Sequence, residues 1–172
     1  SWEDLYAASI APQRDFPVTI SLLDCDQLAR LPESFRSGAP QVLTAEQQDF
    51  AAAINMRLAV AQDKEIMVYV HGTKVDFLNS LVISAEVDHF AGRDFVGIAF
   101  AWPSHQNILY YLSGQDVTRA KDSSQALRAL LEFLAAHTTA EHVNLLSYSA
   151  GGRVASKALY ELRSAYPTIS RD

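Results

Sequence analysis

Ser149 stands at the end of the run Val143-Asn144-Leu145-Leu146-Ser147-Tyr148-Ser149-Ala150-Gly151, two residues after a second serine and two before a glycine. A buried strand, a tight turn and a helix, with serine at the apex, is the arrangement that exposes an Oγ for attack on a carbonyl. A serine hydroxyl is a weak nucleophile until a base takes its proton, and the anion formed on the carbonyl needs donors already in place. The N–H of Ala150, at the positive end of the following helix, is one candidate donor, and the N–H of Thr73, after His71-Gly72, is the second. Strand and helix nearly touch at such a turn, so the residues two before and two after the serine must be small; Gly151 meets the demand and Ser147 fits less closely. Ser147 is the poorer nucleophile, because Leu145 would occupy its own crowded position. The ordinary alternative for Ser149 is a small polar residue that opens a helix.

The elements that would position these groups alternate. Ile66-Met67-Val68-Tyr69-Val70 is a continuous apolar run stopped by His71-Gly72, and 95–101 repeats the pattern before Trp102-Pro103-Ser104. Residues 142–146 form the third such strand. Thr44-Ala45-Glu46-Gln47 reads as a capping box, and Phe50, Ile54 and Leu58 follow at helical spacing, which predicts a helix over 44–62. A second helix carries Leu78, Leu81, Val82 and Ala85 on one stripe. The third, over 122–137, turns Leu127, Leu130, Leu131 and Leu134 inward, and the last, over 150–163, carries Val154, Ala158, Leu159 and Leu162. Strands alternating with helices imply right-handed crossovers and an α/β fold, a three-layer sandwich around a mostly parallel sheet. In such sheets the working residues gather beyond the carboxyl ends of the strands.

Composition narrows the function. With 172 residues, 49% of them hydrophobic, the chain is long enough to bury a core as one domain. Net charge is −6, with no basic run that would neutralise phosphates, which argues against nucleic acid as a partner. Cys25 is the single cysteine, so neither an intrachain disulfide nor a cysteine-based zinc site is available. No apolar run approaches the roughly 20 residues of a membrane span. The start, Ser-Trp-Glu-Asp, lacks signal-peptide regions, although a first residue other than Met is what a removed leader leaves. Residues 1–43 hold four of the six prolines and one clear strand pattern, Val18 to Leu23, and are expected to form an N-terminal extension of the same domain.

Three motifs in order, His71-Gly72-Thr73, Ala101-Trp102-Pro103-Ser104 and Ser147-Tyr148-Ser149-Ala150-Gly151, give the chain its likeness to known proteins. It resembles the α/β-hydrolase superfamily, within it a little-characterised bacterial branch with a His-Gly loop, a Trp-Pro-Ser strand end and a serine elbow. The resemblance implies a serine hydrolase acting on a small-molecule ester or thioester through an acyl-enzyme on Ser149, with Thr73 and Ala150 as the oxyanion hole and no metal or cofactor. His71, Gly72, Trp102 and Tyr148 become candidate pocket or loop residues, with Trp102 either lining an acyl pocket or simply packing. Two departures stand out: the family usually has Gly where Ser147 stands, and often an aromatic where Thr73 stands.

The superfamily draws its acid and its histidine from loops after later strands, whereas His71, His89, His105, His137 and His142 all precede Ser149. The resemblance therefore implies that 44–172 is the N-terminal part of an α/β-hydrolase domain. A C-terminal half, or a second chain, is then expected to pair beside strand 142–146, whose apolar edge would otherwise lie open. His71 is the nearest substitute base, yet the residue before this glycine generally organises the turn. His89 and His137 suit helix C-termini, where a cation is favoured, and His105 could face the site. Asp76 reads as a helix cap, and Asp116 as a loop residue beside Gly114. Two other functions compete: a catalytically degenerate fold kept as a binding or scaffold domain, and a nucleotide-binding module using the amides of Ser149-Ala150-Gly151-Gly152-Arg153. The second lacks a dinucleotide fingerprint and a Walker lysine.

Overall fold

The structure, a computed structural model, describes residues 43–166 apart from 93, 106, 108, 111 and 112. The expected N-terminal extension, with its strand at Val18 to Leu23, lies almost wholly outside the described residues. Helix α1 (Ala45–Val60) opens on the capping box predicted for it: the Thr44 hydroxyl accepts from the Gln47 amide at 3.3 Å and the Gln47 side chain accepts from the Thr44 amide at 3.0 Å. Its other end is closed by a cation. Lys64 Nζ donates to the carbonyls of Leu58, Ala59 and Ala61 at 2.6, 3.2 and 2.9 Å, which satisfies acceptors the helix leaves open and sets positive charge on its negative end. Lys64→Met is expected to lower stability by about 1 kcal/mol, read as a shift of the urea midpoint with unchanged slope.

The rest of the chain runs β1 (Glu65–Val70), α2 (Phe77–Phe90), β2 (Val96–Phe100), α3 (Gln115–His137), β3 (His142–Ser147) and α4 (Gly151–Ala165). The described strands form one parallel sheet in the order β2-β1-β3, with β1 in the middle. The first crossover moves to one side of β1 and the second to the other, so right-handedness puts α2 on one face of the sheet and α3 on the opposite face. Helix α4 packs along α3, and α1 joins this layer through Phe50 and Phe133, whose ring centroids lie 6.3 Å apart. The result is three layers. Leu58, Ile66, Val68, Val70, Leu127, Phe133, Leu134 and Val154 are wholly buried at their centre. No described helix is long and apolar enough to cross a membrane.

Two expectations are corrected. Leu78 and Val82, assigned to the inward stripe of α2, are 71% and 54% exposed, and Ser80 is the buried residue of that helix. The helix sits close to β2, where the Asp88 side chain lies against Gly97. Helix α3 begins at Gln115, seven residues before its expected start, which takes Asp116 out of a loop and into the first turn.

Register decides what meets what. Val70 is level with Phe100 on one side and with Ser147 on the other. The loops opened by His71, Ala101 and Tyr148 therefore leave the sheet side by side, β1's in the middle.

Candidate active site

The Tyr148 amide donates to the Val70 carbonyl at 3.0 Å, which carries the β1–β3 ladder one residue past the strand. The chain then reverses. Ser149 adopts φ +52°, in the left-handed region that non-glycine residues rarely enter, and its side chain is exposed. Helix α4 starts at once: the amides of Gly151, Gly152 and Arg153 donate to the carbonyls of Tyr148, Ser149 and Ala150 at 2.9, 3.0 and 3.0 Å. These three amides of the phosphate cradle suggested for Ser149 to Arg153 are therefore engaged in the turn, which weighs against that alternative.

What holds the turn in this shape is contact with β1. A Cβ built on Gly151 would lie 2.4 Å from the Val70 oxygen and 2.5 Å from that of His71, so helix and strand touch at backbone distance. A Cβ on Gly72 would meet Tyr148 Cδ1 at 3.1 Å and Ser149 Cβ at 3.2 Å. The loop after β1 is thus pressed against the serine turn. Among the described residues, neither the Thr73 N–H nor the Ala150 N–H has a hydrogen-bond partner. Tyr148, 67% exposed, borders the turn on its open side.

His71 is fully buried, and both ring nitrogens are engaged. Nε2 accepts from the Trp102 amide at 3.0 Å, which leaves Nδ1 as the protonated nitrogen, donating to the Gly72 carbonyl at 2.7 Å. The Trp102 indole N–H in turn donates to the His71 carbonyl at 2.7 Å, and the two rings stack at 5.5 Å. Burial holds the His71 pKa below its usual value, against the opposing effect of its hydrogen bond to the Gly72 carbonyl. A ring so tied cannot accept a proton from Ser149, so His71 organises the loop. Trp102, 3% exposed, packs, and no face of it is open to line a pocket.

Sequence reasoning allowed that His105 could face the site and gave Asp116 only an ordinary loop role; the structure joins the two. Asp116, fully buried, accepts from the Thr73 hydroxyl at 2.6 Å through one carboxylate oxygen. Its other oxygen faces His105 Nδ1 at 2.7 Å and the His105 amide at 3.2 Å. The His105 carbonyl accepts from the Lys74 amide at 3.1 Å, and the Ser104 hydroxyl donates to the Val75 carbonyl at 3.0 Å. The His105 ring stacks on Tyr110 at 4.1 Å. Burial would raise the Asp116 pKa, but the hydrogen bonds from Thr73 and His105 outweigh it and hold the carboxyl below its usual range. The available signal was an acidic residue just after Gly114, where a helix can begin. Asp76 does cap α2, its carboxylate accepting from the Asn79 amide at 2.8 Å. His137 does end α3, but burial lowers its pKa and so opposes the expected cation.

These shifts fix the sign of a pH effect. His71 and His137 bind protons less readily folded than unfolded, so the stability they allow is complete above their unfolded value near 6.5 and falls as pH drops below it. The Asp116 contribution is complete above its unfolded value near 3.8 and is lost as pH falls through its lower folded value. Urea midpoints are expected to be level above about pH 7, to decline between about pH 6.5 and 5, and to drop again below about pH 4. A flat profile from pH 7 to 5 contradicts the burial of the two imidazoles.

A family model described as an alpha/beta hydrolase of unknown function (DUF900) matches residues 46–168. The chain belongs to this alpha/beta-hydrolase family. The match takes in the four described helices, the first from its second residue, and the three described strands, including the His-Gly loop, the Trp-Pro-Ser strand end and the serine turn. Comparison with curated proteins and with solved structures returned no match. For an alpha/beta hydrolase the sheet order β2-β1-β3 has a direct consequence: the strand leading to the serine lies at one edge of the described sheet, with its far side unpaired among the described residues.

Proposed function

We propose that this member of the alpha/beta-hydrolase family is a serine hydrolase that cleaves an ester or thioester of a small acyl substrate through a covalent intermediate on Ser149. The observation that carries the reading is the backbone of Ser149 itself, at φ +52° on an exposed turn between a strand and a helix that touch at Gly151. A non-glycine residue costs on the order of 1 kcal/mol in that region, and a turn that needed only a helix opener would take glycine or asparagine. The strain is explained if the hydroxyl has to be there.

In this reading the deprotonated Ser149 Oγ adds to the substrate carbonyl carbon. Charge moves to the carbonyl oxygen, where the Thr73 and Ala150 N–H groups stabilise it. The bond to the alcohol or thiol then breaks, and the departing group takes the proton that the serine lost. Water attacks the acyl-serine and releases the acid, restoring the hydroxyl. Each donor at such an anion typically accounts for about 3–4 kcal/mol of barrier. In this reading the proton acceptor is not His71, whose two ring nitrogens are both engaged.

Incubation with a fluorophosphonate, followed by peptide mass spectrometry, tests the reading. The expected adduct sits on the peptide that contains Ser149. A folded protein that stays unlabelled, or one labelled only elsewhere, removes the proposal.

A further inference from the structure

Thr73 and Asp116 stand 43 positions apart in sequence and are joined by a 2.6 Å hydrogen bond between a hydroxyl and a wholly buried carboxylate. A buried carboxylate is costly unless each oxygen is satisfied. Here both are, and every bond reaches one of two loops: that of Thr73, after β1, or that of His105, after β2. The first of these loops has reason to need holding. Lys74, directly after Thr73, sits at φ +64°, so two non-glycine residues with positive φ, Lys74 and Ser149, lie in adjoining loops. Strained backbone persists only where its surroundings over-determine it. Asp116 supplies that constraint from the first turn of α3, a rigid element, while Lys74 N–H is tied to the carbonyl of the residue that Asp116 grips.

We infer that Asp116 is a positioning residue: its carboxylate, bridging the Thr73 hydroxyl and His105, fixes the loop that aims the Thr73 N–H at the anion formed on a Ser149-bound substrate. This rests on the serine-hydrolase reading and extends it to a residue far from the nucleophile in sequence. It also accounts for the threonine. A backbone donor can be lent by any residue but proline, yet only a side chain that carries a donor, as the threonine hydroxyl does, can be anchored to a buried carboxylate. His105 has its Nδ1 on Asp116 and its ring on Tyr110. It completes the clamp.

The test uses the fluorophosphonate reaction, whose phosphonyl oxygen occupies the place of the anion, resolved into a binding constant KI and a maximal rate kinact. Asp116→Asn and Thr73→Val are expected to lower kinact by about 10- to 100-fold with KI within about twofold, a part of what full loss of one oxyanion donor costs. Thr73→Ser, which keeps the hydroxyl, is expected to restore kinact to within about threefold. In Asp116→Asn, amide hydrogen exchange at Lys74 and His105 is expected to accelerate more than tenfold while the amides of Glu65–Val70 stay protected. A merely structural loss would instead speed exchange throughout and leave Thr73→Ser no better than Thr73→Val. If Asp116→Asn does not fold, Thr73→Val and Thr73→Ser decide alone, because the first removes one bond of the clamp and the second keeps it.

A wild type that labels at Ser149 while both Asp116→Asn and Thr73→Val keep wild-type kinact overturns the clamp and leaves the serine hydrolase standing. A wild type that never labels removes the reaction and the positioning role together.

Discussion

Ser149→Ala is expected to abolish turnover of an activated ester, with kcat reduced about 10⁴-fold or more, while the far-ultraviolet spectrum and the urea midpoint hardly change. The hydroxyl is exposed and contributes nothing to the core, so its loss removes chemistry without removing packing. Ser149→Gly sharpens the test, because glycine accepts φ +52° freely. That variant should be equally inactive and more stable by about 1 kcal/mol, a gain visible as a higher urea midpoint. A helix-opening serine predicts otherwise: activity, if any, would survive both changes. Retention of more than a tenth of wild-type kcat in Ser149→Ala would place the nucleophile elsewhere.

Gly151→Ala is the second large effect, and it acts on folding. A methyl group there would lie 2.4 and 2.5 Å from the carbonyl oxygens of Val70, the last residue of β1, and His71, the next, about half an ångström inside the 3.0 Å that Cβ contacts essentially never breach. Neither partner is a side chain that can swing away. Val70 is level with both neighbouring strands in the register, and the His71 carbonyl also accepts from the Trp102 indole. Relief therefore requires α4 to lift off the sheet, with Val154, Ala155 and Ala158 leaving the core. The expected cost is about 3 kcal/mol or more, at the top of the range for overpacking, and urea denaturation would show it. The same substitution at Gly152, where the nearest atom is Ser147 Oγ at 3.9 Å, should cost less than about 1 kcal/mol. Equal losses at the two positions would contradict the tight contact.

How much of this was legible in the sequence follows the range of the forces involved. The capping box at Thr44 and Gln47 spans three residues, and its pattern names both partners. The three strands are short apolar runs ended by turn residues, and each lies within a residue or so of its expected place. The serine turn also declared itself, because a strand and a helix need small residues where they meet. Leu78 and Val82 misled, since an apolar stripe does not by itself say which face of a helix meets the sheet, and α2 buries Ser80 instead. Asp116 was invisible for a different reason: its partners lie 43 and 11 positions away, and nothing local separates a gripping carboxylate from a loop aspartate. His71 stood between these cases. Its place before Gly72 suggested a loop organiser, but only the fold shows that both ring nitrogens are engaged.

The face-to-face packing of His71 and Trp102 has an optical consequence. Trp2 lies at the far end of the chain, so replacing it by phenylalanine leaves a single indole, sealed from solvent and resting on an imidazole beside the Thr73 loop. Its emission would follow that loop from within, without an added dye, and would register any shift there when an acyl group is loaded or released.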